Sequence, residues 1–118
     1  MKRMRVLAID DHPIMIKALK RMLKDCDVVT ASSVKAAMDA LDEYGHFDHI
    51  LCDMMIDGET GMQFLDEVKK RYPALAKKII FCTAGGTTKE TADFLKKTTH
   101  PVVQKPFNLE DLKKVCSW

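Results

Sequence analysis

The sequence predicts an α/β domain built on a doubly wound parallel sheet, and three observations predict it. Short, almost wholly apolar runs recur along the chain, amphipathic segments of helical period separate them, and helix-start residues stand at the breaks. Strands apolar on both faces belong in a sheet covered by helices on both sides, and strand–helix–strand alternation makes the neighbours parallel. A length of 118 residues suits one core, so residues 1–118 are read as a single domain.

The elements follow in order. Val6-Leu7-Ala8-Ile9 reads as a buried strand. Pro13 to Lys24 reads as a helix with Met15, Leu19, Met22 and Leu23 on one face; Pro13 fits its first turn, where a missing N–H costs nothing. Val28 to Ala31 is a second strand, and Ser33 to Asp42 a helix that turns Val34, Ala37, Met38 and Leu41 inward. His49 to Cys52 is a third strand. Thr60 opens a third helix with Gln63 in capping-box spacing and Met62, Leu65 and Val68 inward, and Pro73 begins a short connection. Lys78 to Cys82 is a fourth strand. After Gly85-Gly86, Thr87 and Glu90 form a second capping-box signal for a helix carrying Phe94 and Leu95. Pro101-Val102-Val103 is a weak fifth strand, and Asn108 caps a last helix with Leu109, Leu112 and Val115 inward.

Composition narrows the function. The chain is 47% hydrophobic and 31% charged with a net charge of +2, so no global field favours direct nucleic-acid or membrane-surface binding. No apolar stretch has the length of a membrane span, and the run after the basic N-terminus is too short for a signal-peptide core. Cys26, Cys52, Cys82 and Cys116 form no C-x-x-C pair; Cys52 and Cys82 lie in apolar runs as reduced core residues, which points to the cytoplasm. His12, His46, His49 and His100 have no metal-ligand spacing, and His12 lies near the strand-end aspartates but is expected to face solvent. The Lys69-Lys70-Arg71 and Lys77-Lys78 runs read as solvated helix ends.

In doubly wound folds ligands bind beyond the carboxyl ends of the strands. The first strand ends in Asp10-Asp11, the third in Asp53, the fourth in Thr83, and the fifth runs through Gln104 into Lys105-Pro106. Three carboxylates crowded together raise one another's pKa, and a divalent cation offsets that repulsion. All-oxygen ligation with room for water suits Mg²⁺. A carboxylate can serve as the nucleophile of phosphoryl transfer, a lysine can pair with phosphoryl oxygens, and a threonine hydroxyl can donate to them. Singly, each residue has a plain reading: an N-cap pair, a turn aspartate, strand-end punctuation. All four in this order make a site.

These residues resemble the receiver domains of response regulators in two-component signalling. The acidic pair Asp10-Asp11, the loop from Asp53 through Asp57-Gly58 to Gly61, Thr83-Ala84 and Lys105-Pro106-Phe107 match that family's motifs along the whole chain. The spacings also match, thirty residues from Asp53 to Thr83 and twenty-two from Thr83 to Lys105. The resemblance implies a flavodoxin-like five-stranded sheet of order 2-1-3-4-5 with five helices on its two faces. It implies that Asp53 accepts phosphate from a sensor histidine kinase or a histidine phosphotransfer protein, assisted by Thr83 and Lys105. It implies Mg²⁺ held by Asp11, Asp53 and the Met55 backbone carbonyl, with Asp10 acting mainly through water, and a cis Lys105–Pro106 peptide. The implied output is a downstream protein target, reached through the fourth helix, fifth strand and fifth helix, with a homodimer on phosphorylation as one form. The protein is then a switch rather than an enzyme.

Three positions depart from the family pattern. Asp57 stands where proline is common and adds a carboxylate near the site or facing water. Val102 replaces the usual aromatic residue, so ring switching cannot operate there and output shifts to the Gly85-Gly86-Thr87-Thr88 loop. Met55 and Gly85 offer nothing to orient a hydrolytic water, which implies a long-lived phosphoryl group. A receiver-like docking module without phosphorylation is the first alternative, against which the intact set Asp11, Asp53, Thr83 and Lys105 counts. The second is an aspartyl-phosphate phosphohydrolase of the haloacid-dehalogenase type, which needs an aspartate where Met55 stands.

Overall fold

A computed structural model of the chain describes residues 3–84 and 88–115. Five long strands, β1 (Arg5–Ile9), β2 (Asp27–Ala31), β3 (His49–Asp53), β6 (Ile79–Thr83) and β7 (Val102–Gln104), form one parallel sheet of order β2-β1-β3-β6-β7. This is the expected 2-1-3-4-5 order. Between β3 and β6 two short strands, β4 (Met55–Ile56) and β5 (Glu59–Thr60), make an antiparallel hairpin.

Successive side chains of a strand leave on opposite faces, and here both faces are apolar. Leu7, Ile9, Ile50, Cys52, Ile79 and Phe81 point to one core, with α2 (Val34–Tyr44), α3 (Gly61–Arg71) and α4 (Pro73–Ala76) packed over it and Phe94 of α5 (Lys89–Lys97) at its margin. Val6, Ala8, Leu51, Ile80 and Cys82 point to the other, beneath Leu19 of α1 (Pro13–Met22) and Leu112 of α6 (Leu109–Val115).

Local chemistry sets the helix ends. Ser33 accepts the Ala36 N–H at 3.0 Å and caps α2, while Gly45, with φ +73°, lets the chain turn left-handed after it. Thr60 and Gln63 complete the expected capping box of α3. Asn108 and Asp111 exchange backbone N–H bonds at 2.9 and 3.0 Å, so the last helix also has a reciprocal cap.

Some expectations fail in detail. Pro73–Ala76 is a one-turn helix rather than a connection, giving six helices instead of five among the described residues. The fourth long helix is capped by Thr88, whose hydroxyl accepts the Thr91 N–H at 3.2 Å. The expected Thr87 cap, like Gly85, Gly86 and Cys116, lies outside the described residues. The first helix stops at Met22, because Leu23 leaves helical geometry while its N–H still reaches Leu19. Val115 is exposed rather than inward, since α6 ends over the edge strand β7, where it helps line an open groove.

Candidate functional site

The parallel sheet delivers four chains to one end. Asp10 continues the line of β1, its N–H bonded to Ala31 O at 3.1 Å, and its side chain is buried. Asp53 is the last residue of β3, in register with Cys82, and is also buried. Lys105 leaves β7 with its N–H on Thr83 O at 2.7 Å, and the Lys105–Pro106 peptide is cis, as expected. Its ammonium lies between the buried carboxylates, 2.7 Å from Asp10 Oδ2 and 3.1 Å from Asp53 Oδ2.

Asp10, Asp11, His12 and Asp53 each place one donor atom within 4.8 Å of the others. His12 lies beside the site, as expected, but sequence reasoning missed its contact with the aspartates. Its ring is largely exposed, as expected, yet Nδ1 sits 2.8 Å from Asp10 Oδ1 and 3.0 Å from Asp11 Oδ1. The available signal was Pro13, which holds the preceding residue extended beside the acidic pair.

Electrostatics separates the aspartates. Burial raises the Asp53 carboxyl above its ordinary range, with Lys105 offsetting only part of that effect. Burial pulls Asp10 the same way, but bonds from Lys105 and from the His12 N–H and ring outweigh it and leave Asp10 lowered. Burial would depress Lys105, yet the two carboxylates prevail and raise it. The bond to Asp10 raises His12.

The remaining expected residues also reach this end. Thr83 closes β6 half-buried, opposite Gln104. Met55 opens β4 directly after Asp53-Met54, with its side chain exposed. Asp57 turns its side chain to solvent and gives its N–H to Asp11 Oδ2 at 2.9 Å. Asp57 and Gly58, at φ +49° and +81°, are the two loop residues of the β4–β5 hairpin, as an Asp-Gly type I′ turn requires. That explains the missing proline, whose ring fixes φ near −65° and cannot adopt this turn. Val102 is half-buried, and ring packing comes from elsewhere: Phe94 and His100 contact Phe81 edge-on at 5.2 and 5.5 Å between centroids.

Three carboxylates, a lysine and a threonine at the carboxyl end of such a sheet are the pattern of one family. A family model, the response regulator receiver domain, matches residues 6–117. The chain belongs to this family. Among receiver-domain relatives, the chemotaxis protein CheY of Listeria monocytogenes is 26% identical over 119 residues, spanning 96% of this chain and 98% of that one. The two-component response regulator ARR16 of Arabidopsis thaliana is 26% identical, spanning 97% and 79%. A receiver-domain structure from Clostridium thermocellum superposes with a TM-score of 0.79 at 27% identity, covering 95% of this chain and 90% of that one. Vibrio cholerae CheY4 shares the fold at a TM-score of 0.78 and 24% identity, covering 96% and 95%. A receiver domain is a signalling module of two-component systems, and this one has an aspartate cluster able to hold a metal. Among the described residues no helix is long and apolar enough to cross a membrane.

Proposed function

We propose that this receiver domain is a phosphorylation switch that takes a phosphoryl group onto Asp53 from the phosphohistidine of a sensor histidine kinase or a histidine phosphotransfer protein. The observation that carries this reading is the pair of buried carboxylates bridged by Lys105, with Asp53 the raised member and Asp10 the lowered one. Asp53, the strand-end carboxylate paired with Lys105, is then the nucleophile, with Asp10 beside it. An Asp53 oxygen attacks phosphorus, the P–O bond forms as the P–N bond breaks, and the freed imidazole takes a proton. Lys105, already 3.1 Å from Asp53, pairs with the phosphoryl oxygens, and Thr83 donates its hydroxyl to them.

The clustered carboxylates fit Mg²⁺: Asp11, Asp53 and the Met55 carbonyl would hold it directly, with Asp10 acting mainly through water. Bound there, Mg²⁺ supplies positive charge that offsets carboxylate repulsion and the charge of the incoming phosphoryl group. Ile14, exposed in the first turn of α1, offers the donor protein an apolar contact. Output to a downstream protein runs through α5, β7 and α6, where Val102, Gln104, Asp111 and Val115 line a groove of about 260 Å³. We place the chain in the cytoplasm, where the buried thiols Cys52 and Cys82 stay reduced.

The test is intact mass after incubation with acetyl phosphate and Mg²⁺. The expected result is one hydroxylamine-labile phosphoryl group, absent without Mg²⁺ and absent in Asp53→Asn. An unlabelled wild type, under conditions that label an ordinary receiver domain, would leave a docking module.

A further inference from the structure

Helix α3 closes on Lys69, Lys70 and Arg71, and α5 closes on Lys96 and Lys97. Such residues suit a helix carboxyl end, and α1 and α6 end in the same way, so charge alone marks no site. Between α3 and α5, however, the charge borders a groove of about 250 Å³. Leu65 and Phe94 give it an apolar floor, Lys69 and Lys97 stand exposed at its rim, and Thr98, Thr99 and His100 complete the lining. Phe94 packs edge-on against Phe81, with ring centroids 5.2 Å apart, yet stays only half-buried. No carboxylate lines the groove. Among the described residues Lys69 and Lys97 form no ion pair, whereas Arg71 one turn away is held by Asp42 at 2.8 Å. His100, with Nε2 at 2.9 Å from Ala76 O, ties this groove to the Lys77-Lys78 run, which borders a second small groove beside Pro101. The cations around the 98–101 segment therefore face outward without partners of their own.

The occupant follows from size and charge. The groove is smaller than the roughly 300 to 1,000 Å³ of small-molecule sites, and suits one anchoring side chain. An apolar floor inside a charged rim is the layout of a protein interface. Phosphate groups are held by backbone N–H groups at helix amino ends, and this groove lies at two carboxyl ends, where only flexible lysine side chains supply positive charge. We propose that the α3–α5 groove docks an acidic segment of a partner protein, with one apolar side chain over Leu65 and Phe94 and flanking carboxylates on Lys69 and Lys97. The groove shares no lining residue with the one between β7 and α6, and the proposal does not depend on phosphorylation of Asp53.

The experiment is fluorescence anisotropy of the full chain with a labelled peptide carrying a single leucine among glutamates. Amide ¹H–¹⁵N spectra map where it binds. A peptide with alanine in place of the leucine and a single-stranded oligonucleotide are the comparison probes. The chain variants are Lys69→Gln with Lys97→Gln, and Lys20→Gln with Arg21→Gln on α1, which remove equal charge. The leucine peptide is expected to bind with shifts clustered at Leu65, Lys69, Phe94 and residues 97–100. Its affinity should fall about fivefold or more in the Lys69/Lys97 variant and little in the Lys20/Arg21 variant. The alanine peptide should bind about tenfold more weakly than the leucine peptide. No saturable binding, an equal loss in both variants, or an alanine peptide that binds as well would overturn the proposal. Tighter binding of the oligonucleotide through the same residues would overturn it in favour of a nucleic-acid surface.

Discussion

At each end of the sheet a basic residue meets two aspartates, through its side chain alone at one end and through side chain and backbone at the other, and the two arrangements have opposite meanings. At the carboxyl end Lys105 joins Asp10 and Asp53, with side-chain exposures of 14%, 2% and 10%. At the amino end Arg5 meets Asp27 at 3.2 Å with exposures of 33% and 51%, and its N–H bonds Asp48 at 2.8 Å. The Arg5 guanidinium also lies 4.9 Å from the Tyr44 ring centre. Water screens the second group and competes for it, so it contributes little. The first group is largely out of water, and its charges are tolerated only because each partner is present. Charge is placed at a cost at the carboxyl end, where we propose that a phosphoryl group is received, and cheaply where it only stitches strand starts together.

The proposed phosphorylation sets the largest expected contrast: Asp53→Asn should abolish labelling, whereas substitutions among the Arg5 partners should leave it unchanged, with intact mass as the readout. Next comes Lys105→Met. Removing Lys105 takes the cation from two buried carboxylates, leaving Asp10 with His12 alone, and urea unfolding at neutral pH should show a loss of about 3 kcal/mol. The loss should shrink at acid pH, where protonation removes the stranded charge. A loss independent of pH would mean that lysine packing, not charge, is what matters.

How much of this was legible in sequence depends on range. Val6–Ile9 and Ile79–Phe81 are apolar without alternation, which only a sheet buried on both faces explains, and each runs into its polar site residue. Strand ends could therefore be read as a site before any contact was known. The Lys105–Asp10 bond joins residues 95 apart, and no local pattern reports that the lysine bridges two carboxylates. The β4–β5 strands of two residues are too short for a period, although Asp57-Gly58 was their turn signal. Pro73–Ala76 is likewise too short to show a helical stripe. Thr87 and Thr88 are adjacent capping candidates, and the choice of Thr88 depends on its meeting the N–H of buried Thr91. His12 faces solvent near the site as expected, but its contact with Asp10 and Asp11 was not foreseen, because exposure and engagement are not opposites.

A third test perturbs the carboxyl end without removing any charge. A Cβ on Gly61 would stand 3.0 Å from the Asp53 carbonyl oxygen and 3.2 Å from the Phe81 ring. Gly61→Ala should cost about 1 kcal/mol, helix propensity offsetting part of the clash, and should slow labelling by acetyl phosphate by displacing Asp53. An unchanged labelling rate would show that the Asp53 backbone has slack.

The histidines sharpen the same contrast by direction. Hydrogen bonding to Asp10 raises His12, so its contribution to stability is full below the ordinary value of 6.5 and is lost as pH rises through the raised value. Burial lowers His49 at the start of β3, with Lys78 adding to the effect and Asp48 opposing it. Its contribution is present above 6.5 and is lost as pH falls through the lowered value. Ring ¹H–¹³C shifts of metal-free protein should place the His12 midpoint above that of His49. Coincident midpoints would erase the difference between the ends.

The smallest effect is expected where the amino-end pair is broken. Asp27→Asn removes one charge from Arg5 but leaves the guanidinium over Tyr44 and its backbone N–H on Asp48. Both groups of the lost pair already share their solvation with water, so little is left uncompensated. Urea unfolding should register about 0.5 kcal/mol or less, decreasing with added salt. A loss as large as that of Lys105→Met would mean that exposure does not govern what these charges are worth, and the contrast between the two ends of the sheet would fall with it.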